Sequence, residues 1–408
     1  MRTVAEHLAV VLDGIEPLEP IDIPLLDAIG LTLASDVVAP WPLPSFDNSA
    51  MDGYAVRSVD VASASEAAPV ALPVLGDVAA GDSGALVVAP GTTVRIMTGA
   101  PMPEGADAVV PVERTDGGTQ TVRITASAAP GAYVRRAGED VVAGTVVLSA
   151  GDVVSERSVA VLASVGCAHV PVVRRPHVVV ISTGDELVEV GHPLAPGQIV
   201  DSNGLMIVAL ARAAGASAWR TPHSHDVDDE FRGLLDAALR NADVVVTSGG
   251  VSMGAFDTVK AVLSESGEAE FVKVAQHPGM PQGCGRLGAK HIPIVTLPGN
   301  PVSSFVSFEI YVRPLIRRLM GRTELTRPTE PATLLEPIDS PPGKQQYVRA
   351  VLEVGDDGRR SVRPIGRQGS HVVGALAMAQ ALVVLPPDVT RVEAGETVAV
   401  LDLLRAQS

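Results

Sequence analysis

Val244-Val245-Val246-Thr247-Ser248-Gly249-Gly250-Val251-Ser252-Met253-Gly254 reads as a short apolar strand followed by a glycine- and serine-rich loop. Its neighbours repeat the pattern. The apolar run Val178–Ile181 precedes helical patterns at Gly204–Ala214 and Asp228–Arg240; after Val244–Thr247 come a helix from about Phe256 to Ser264, the runs Glu270–Val274 and Ile292–Leu297, and a long helix from Pro301 to Met320. Strands alternating with helices indicate βαβ units, so residues 174–322 are expected to form an α/β domain with a mostly parallel sheet covered on both faces.

Outward from this core the texture changes. Between about Val38 and Tyr133 the chain holds short apolar runs broken by Gly and Pro, including Val70–Leu75, Ala85–Val88, Thr93–Met97 and Thr121–Thr125, which predicts a small β-rich module. After Arg322 it becomes β-like again, with Gly355-Asp356-Asp357-Gly358 as a hairpin turn, and a small barrel or sandwich is expected over residues 323–408. Val4, Leu8, Val11, Leu12 and Ile15 share one face of an N-terminal helix.

With 408 residues, of which 46% are hydrophobic, the chain supports several cores. Cys167 and Cys284 have neither CxxC nor zinc-site spacing, which fits a reducing cytoplasm. Glu6 and Asp13 interrupt the N-terminal apolar face, so no signal-peptide core is present, and the uncharged stretch Ser158–Val173 is too short to span a bilayer. A net charge of −16 argues against nucleic acid as a partner, and no membrane partner is expected.

In an open α/β sheet, ligands bind beyond the carboxyl ends of the strands. Three loops fall there: Ser182-Thr183-Gly184-Asp185-Glu186, Thr247 to Gly254, and Pro298-Gly299-Asn300-Pro301-Val302-Ser303. The second has the composition of a loop whose backbone N–H groups approach an anion, and equally that of a plain tight turn. In the third, Asn300 is a good N-cap and Pro301 fits the first helical position, so a positive helix end would face the same sheet edge. Two anion-compatible loops on one edge favour a site. The Walker motif is missing, which leaves no support for a P-loop nucleoside triphosphatase.

Asp185, Glu186, Asp201, Asp226 and Asp257 lie at strand ends or helix starts around these loops. Asp201, Asp226 and Asp257 read singly as helix N-caps. Taken together, the acids favour a divalent cation between carboxylates and an anionic ligand, for which Mg²⁺ is the usual ion. His223 and His225 form an HxH pair without a third ligand nearby and read as a polar loop rather than a zinc site. The segment Pro44 to Val56 is dense in polar and aromatic groups, and its composition suits a structural corner as well as a site.

Asp47-Asn48-Ser49-Ala50-Met51-Asp52-Gly53-Tyr54-Ala55 resembles, without a gap, the signature of the MoeA/gephyrin E-domain family. Other landmarks follow in order: Arg95 to Ala100, Gly138-Glu139-Asp140, Ser182 to Leu187, Ser248 to Gly254, Leu297 to Ser303, and Gln368-Gly369-Ser370-His371. The resemblance spans nearly the whole chain. It implies an elongated subunit with an αβ lever domain (20–38 and 138–173), a β-rich inserted domain (39–137), a Mog-like molybdopterin-binding domain (1–19 and 174–322) and a C-terminal β-barrel (323–408), assembled as a homodimer.

The same resemblance implies a reaction in which adenylylated molybdopterin and molybdate yield molybdenum cofactor and AMP with Mg²⁺, in the cytoplasm, downstream of a Mog-type molybdopterin adenylyltransferase. Asp52, Thr98, Glu186, Asp226, Asp257, Lys273 and Ser370 would be catalytic, with Arg135 and Asp140 as accessory positions. Glu186, Asp226 and Asp257 would hold the metal. Ser182, Thr183, Gly184, Asp185, Ser248, Gly249, Gly250, Ser252, Gly254, Pro298, Gly299, Asn300, Pro301 and Ser303 would cradle pterin and phosphates.

One stretch departs from the family. Where a KPGKP sequence is common, this chain has His277-Pro278-Gly279-Met280-Pro281, keeping only the earlier Lys273. Weaker electrostatic hold on an anion is expected, with Lys260, Arg286 or Lys290 as candidates to compensate. Three rival readings share parts of the resemblance: a tungsten-specific paralogue, a cofactor-binding scaffold with weak transferase activity, and a CinA-like nucleotide enzyme. The last is disfavoured by the Asp47–Ala55 segment and the β-rich insertion.

Overall fold

The structure, a computed structural model, describes residues 1–83, 85–251, 258–356 and 358–405. The chain forms two compact units, one from Met1–Ala34, Gly151–Val154 and Val170–Ser408, the other from Ser35–Ala150 and Ser155–His169. Helix α1 (Val4–Leu12) belongs to the first and helix α2 (Glu156–Ser164) to the second. Both begin with a reciprocal capping box, at Thr3 with Glu6 and at Ser155 with Ser158.

The second unit is built on strands β1 (Gly53–Val56), β2 (Val70–Val78), β3 (Thr93–Ile96), β4 (Ala108–Pro111) and β5 (Thr121–Ile124), in the order β4-β1-β3-β2-β5. Tyr54, Val56, Val110, Val122 and Ile124 are fully buried in its core. The expected strand at Ala85–Val88 does not form; Val87 makes an isolated bridge with Glu104. A Cβ on Gly53 would lie 2.1 Å from the Val110 carbonyl oxygen, so the β1–β4 approach requires glycine there.

In the first unit, β6 (His177–Ser182), α3 (Ser202–Ala213), β7 (Ser217–Arg220), α4 (Asp228–Leu239), β8 (Val244–Ser248) and α5 (Thr258–Ser266) lead to β9 (Ala269–Lys273), β10 (Pro281–Leu287) and β11 (Ile292–Leu297). Their order is β7-β6-β8-β11-β10-β9, parallel from β7 to β11, with β10 antiparallel to both neighbours. Alternate residues of the buried runs face opposite sides. Val179, Ile181, Val245 and Ile294 meet Phe231 and Leu235 of α4 and Val259 and Leu263 of α5. The other face is covered by α3 and by the helical stretch formed by α6 (Pro301–Ser307) and α7 (Arg313–Leu319), between which Phe308–Val312 forms a π turn. Burying each such aliphatic or aromatic side chain contributes about 1.5–3 kcal/mol, which is why apolar runs locate the central strands β6, β8 and β11.

Strands β12 (Thr329–Leu334), β13 (Gln345–Val354), β14 (Arg360–Pro364), β15 (Ala381–Leu385) and β16 (Thr397–Asp402) pair in the ring β13-β14-β12-β16-β15-β13, a closed barrel. Closure removes the exposed edges a sandwich would leave. The turn around Gly355 and Gly358 joins β13 to β14 as an antiparallel hairpin. Val302, Phe305 and Val306 of α6 share an apolar cluster with Tyr347, Leu382 and Leu401 of the barrel. Among the described residues no helix is long and apolar enough to cross a membrane, and Cys167 and Cys284 are free thiols.

Candidate functional site

The chain leaves β6 for β7 on one side and returns to β8 on the other, which opens a crevice at the carboxyl ends of these strands. A cavity of about 560 Å³ lies there. Thr183, Gly184 and Glu186 line it from the loop after β6, Ser248, Gly249 and Gly250 from the loop after β8, and Pro298, Gly299, Asn300 and Pro301 from the loop after β11. Asp226 lines it as well. Asp185 stands behind, its Oδ1 accepting the Asp226 amide at 3.0 Å, and Ser182 and Ser303 are buried beneath. Ser252, Gly254 and Asp257 fall outside the described residues.

Backbone bonds weld the loops together. The Thr183 amide donates to Ser248 O at 3.1 Å and the Gly249 amide to Leu297 O at 3.1 Å. Gly249 has φ +93°, and a Cβ there would stand 2.8 Å from the Thr183 carbonyl oxygen. A side chain is thus excluded by conformation and by space.

Residues not assigned from sequence complete the cavity. Asn203 Nδ2 donates to Ser248 Oγ at 3.0 Å and to Gly299 O at 2.6 Å, so one buried amide ties two of the loops. The only signal for it was the polar run Asp201-Ser202-Asn203 at a helix start. Asp201 caps α3, its Oδ1 accepting the Gly204 amide at 2.8 Å, as its sequence context suggested. Asp226 is no N-cap; Val227 holds that position in α4. Asn300 is the N-cap residue of α6 by backbone conformation, yet its Nδ2 donates to Ser370 Oγ at 3.2 Å instead of its oxygen capping the helix. Ser370 is followed by His371, which brings a barrel loop to the cavity wall.

Acids outnumber bases in the lining. Glu186, Asp201 and Asp226 face the cavity, and among the described lining residues His371 is the only basic side chain. Asp201 is almost wholly buried, with its Oδ2 3.5 Å from Arg220 Nη1. The Arg220 guanidinium also grips both oxygens of Glu189 and, helped by His223, pulls that carboxyl down to about 2. His223 and His225 face Glu189 and Glu230 respectively. Among the described residues no three His, Cys, Asp or Glu side chains converge into a metal-binding group.

Lys273 ends β9 opposite Pro281, which lines the cavity. Nearby, His277 is held below its usual pKa by burial and by Lys344, a neighbour the sequence reading overlooked. Two expected compensating cations are placed elsewhere. Arg286 Nη2 donates to the Val11 and Asp13 carbonyls at 3.0 and 2.7 Å beside α1, and Lys290 precedes β11, at the end of that strand opposite the cavity. Lys260 lies on α5 and does not line the cavity.

Asp52 and Thr98 lie in the other compact unit. There, Asp52 Oδ1 accepts from the Thr98 amide at 2.7 Å and from Thr98 Oγ1 at 2.8 Å, bonds that lower the pKa of an exposed carboxyl. The rest of the signature is mostly structural: Asp47 accepts from Arg136 and from the Ala137 amide, and buried Tyr54 donates to Gly118 O. Arg135, paired with Asn48, and Asp140 are surface positions.

Fold and cavity together define an α/β protein with a small-molecule cavity at its strand ends, one wall of which comes from a β-barrel. Residues 2–166 match the MoeA N-terminal region (domain I and II), residues 179–318 a probable molybdopterin binding domain, and residues 331–403 the MoeA C-terminal region (domain IV). The chain is 48% identical to molybdopterin molybdenumtransferase 2 of Mycobacterium tuberculosis over 409 residues, covering 99% of this chain and 100% of that one. It is 38% identical to molybdopterin molybdenumtransferase of Haemophilus influenzae, with 92% of each covered. The crystal structure of the molybdopterin biosynthesis MoeA protein from Pyrococcus horikoshii superposes with a TM-score of 0.86 at 33% identity, over 98% of both chains. The chain belongs to the MoeA family.

Proposed function

We propose that this protein inserts molybdenum into molybdopterin, converting adenylylated molybdopterin and molybdate into molybdenum cofactor and AMP. The observation that carries this reading is the end-to-end 48% identity with a molybdopterin molybdenumtransferase. The cavity supports it: glycine backbone and an Asn203-braced pair of loops suit pterin and phosphate, and its volume suits a small ligand.

The donor set also fits a hard cation. Carboxylates line a cavity meant for an anion while no Lys or Arg side chain does so among the described residues, and Mg²⁺ needs only one or two carboxylates beside ligand phosphates. Glu186 and Asp226, with Asp257, would hold it, and it would offset phosphate charge and polarise the phosphoanhydride. Around it, the protein's own groups orient the ligand. The Gly250 amide and those of the loop before α6 would face phosphate oxygens, while the Gly249 amide holds Leu297 O; Asn300 and Ser370 fix the wall, and Lys273 with Lys344 supplies positive charge on the side of His277. In the other compact unit, Asp52 and Thr98 form a fixed carboxylate and hydroxyl pair, to which the family resemblance gives a catalytic role. A homodimer whose cleft includes the neighbouring subunit, a cytoplasmic location and a Mog-type adenylyltransferase upstream complete the proposal.

Purified protein incubated with adenylylated molybdopterin, Mg²⁺ and molybdate should release AMP and retain molybdenum on the pterin. No AMP under any condition would sink the transferase reading; AMP with tungstate alone would move the assignment to tungsten.

A further inference from the structure

Arg349 lies on β13 and is 1% exposed, among the largest fully buried side chains of the protein. Among the described residues no carboxylate pairs with it. Its two Nη groups donate instead to one loop, Nη1 to Val372 O and Nη2 to Arg367 O at 2.6 Å and Gly369 O at 3.4 Å, while its Nε is buried without a partner among the described residues. A buried guanidinium without an acid is a costly way to fill a barrel, since an apolar side chain of similar volume serves packing as well or better. What the guanidinium supplies is geometry. Its rigid planar fork spans several carbonyls at fixed angles, which no apolar side chain and no lysine can do.

The loop so held reaches the cavity. Gln368 fastens it further, its Oε1 accepting the Arg349 amide at 3.1 Å and its Nε2 donating to Ile365 O at 2.8 Å. Beyond these anchors, Ser370 O accepts the Val302 amide at 3.1 Å, Ser370 Oγ meets Asn300 Nδ2 at 3.2 Å, and His371 lines the cavity. The segment is therefore held by the barrel on both sides of Ser370 and by the start of α6 at Ser370 itself.

We infer that Arg349 is a positioning residue of the substrate site: its fork on the 367–372 loop sets where Ser370 and His371 stand in the cavity wall, making the barrel part of the site. This rests on the proposed function only for the substrate used to read it.

The test compares Arg349→Lys, His371→Ala and the double variant, using AMP release from adenylylated molybdopterin with molybdate. Each single change is expected to lower kcat/KM by about tenfold or more, and the double to fall within about threefold of the worse single, because both act through one loop. Losses that multiply would overturn the inference. A second readout needs no turnover: amide hydrogen exchange over 366–373 should quicken by about tenfold or more in Arg349→Lys while β13 keeps its protection. Unchanged exchange in that loop would also overturn it, even if wild-type protein proved inactive on this substrate. Lysine keeps the charge and most of the volume, so Arg349→Lys is expected to fold, and the His371→Ala variant reads the same loop should it not.

Discussion

At the scale of single residues, the cavity depends on groups that are ordinary in sequence. Asn203 is one asparagine among polar neighbours at a helix start, yet it bridges Ser248 and Gly299. Replacing it with Ala leaves the Gly299 carbonyl short of a partner and should cost about 1–3 kcal/mol. Denaturant unfolding and AMP release should show lower stability together with at least about a tenfold fall in kcat/KM, the orientation loss expected when two loops part. Wild-type kinetics in Asn203→Ala would refute the bracing role. Met280 offers the opposite experiment. Burial and Lys344 keep His277 below its usual pKa, so it is neutral at pH 7, and methionine adds no charge. Met280→Lys should therefore tighten the hold on an anionic substrate, seen as a lower KM at low salt that weakens as salt rises. Unchanged KM and turnover would show that the altered stretch is electrostatically silent.

Among elements, α1 shows how docking creates a pH dependence. Its His7 is fully buried against Tyr311 in an edge-on contact with centroids 4.7 Å apart, and burial, with Arg2 nearby, depresses its pKa to about 4. The native state refuses a proton that the unfolded chain takes near pH 6.5. Stability from this group is therefore full above about 6.5 and is lost as pH falls towards about 4, a difference on the order of 3 kcal/mol. Unfolding free energies measured from pH 7 to 4 should fall less steeply for His7→Phe than for wild type; equal slopes would exclude His7 as the source. Glu189, held at about 2 by Arg220, acts in a separate window: its contribution is present above about 4.5 and disappears as pH falls towards 2. Antiparallel β10 and edge strand β7 are not legible in sequence because Pro281-Gln282-Gly283-Cys284-Gly285 and Ser217–Arg220 lack both an apolar run and a clear alternation. Partners on either side, not propensity, make them strands.

For the whole molecule, the resemblance that named the family also implies a homodimer, which a single chain does not display. Light scattering at micromolar concentration should give twice the 42.1 kDa chain mass. A monomer that still released AMP would remove the shared cleft from the proposal.

Sequence alone determined the parallel core, because continuous buried runs and helical periods are local consequences of being covered on both faces, and it determined the family through ungapped motifs. It also marked the three loops that meet at the cavity, since glycine, proline and capping residues act within a few positions of themselves. Tertiary structure decided between the barrel and the sandwich that the strand pattern after Arg322 left open, as the family resemblance implied; it alone decided that Asp226 is not a cap, and that Asn203, His371 and Arg349 serve one cavity. Those outcomes depend on groups far apart in the chain: Asn203 and Gly299 meet because β6, β8 and β11 share one edge, and a buried guanidinium reads the same in sequence as an exposed one. The cavity edge at Ser248–Val251 is thus a local signal completed by distant side chains.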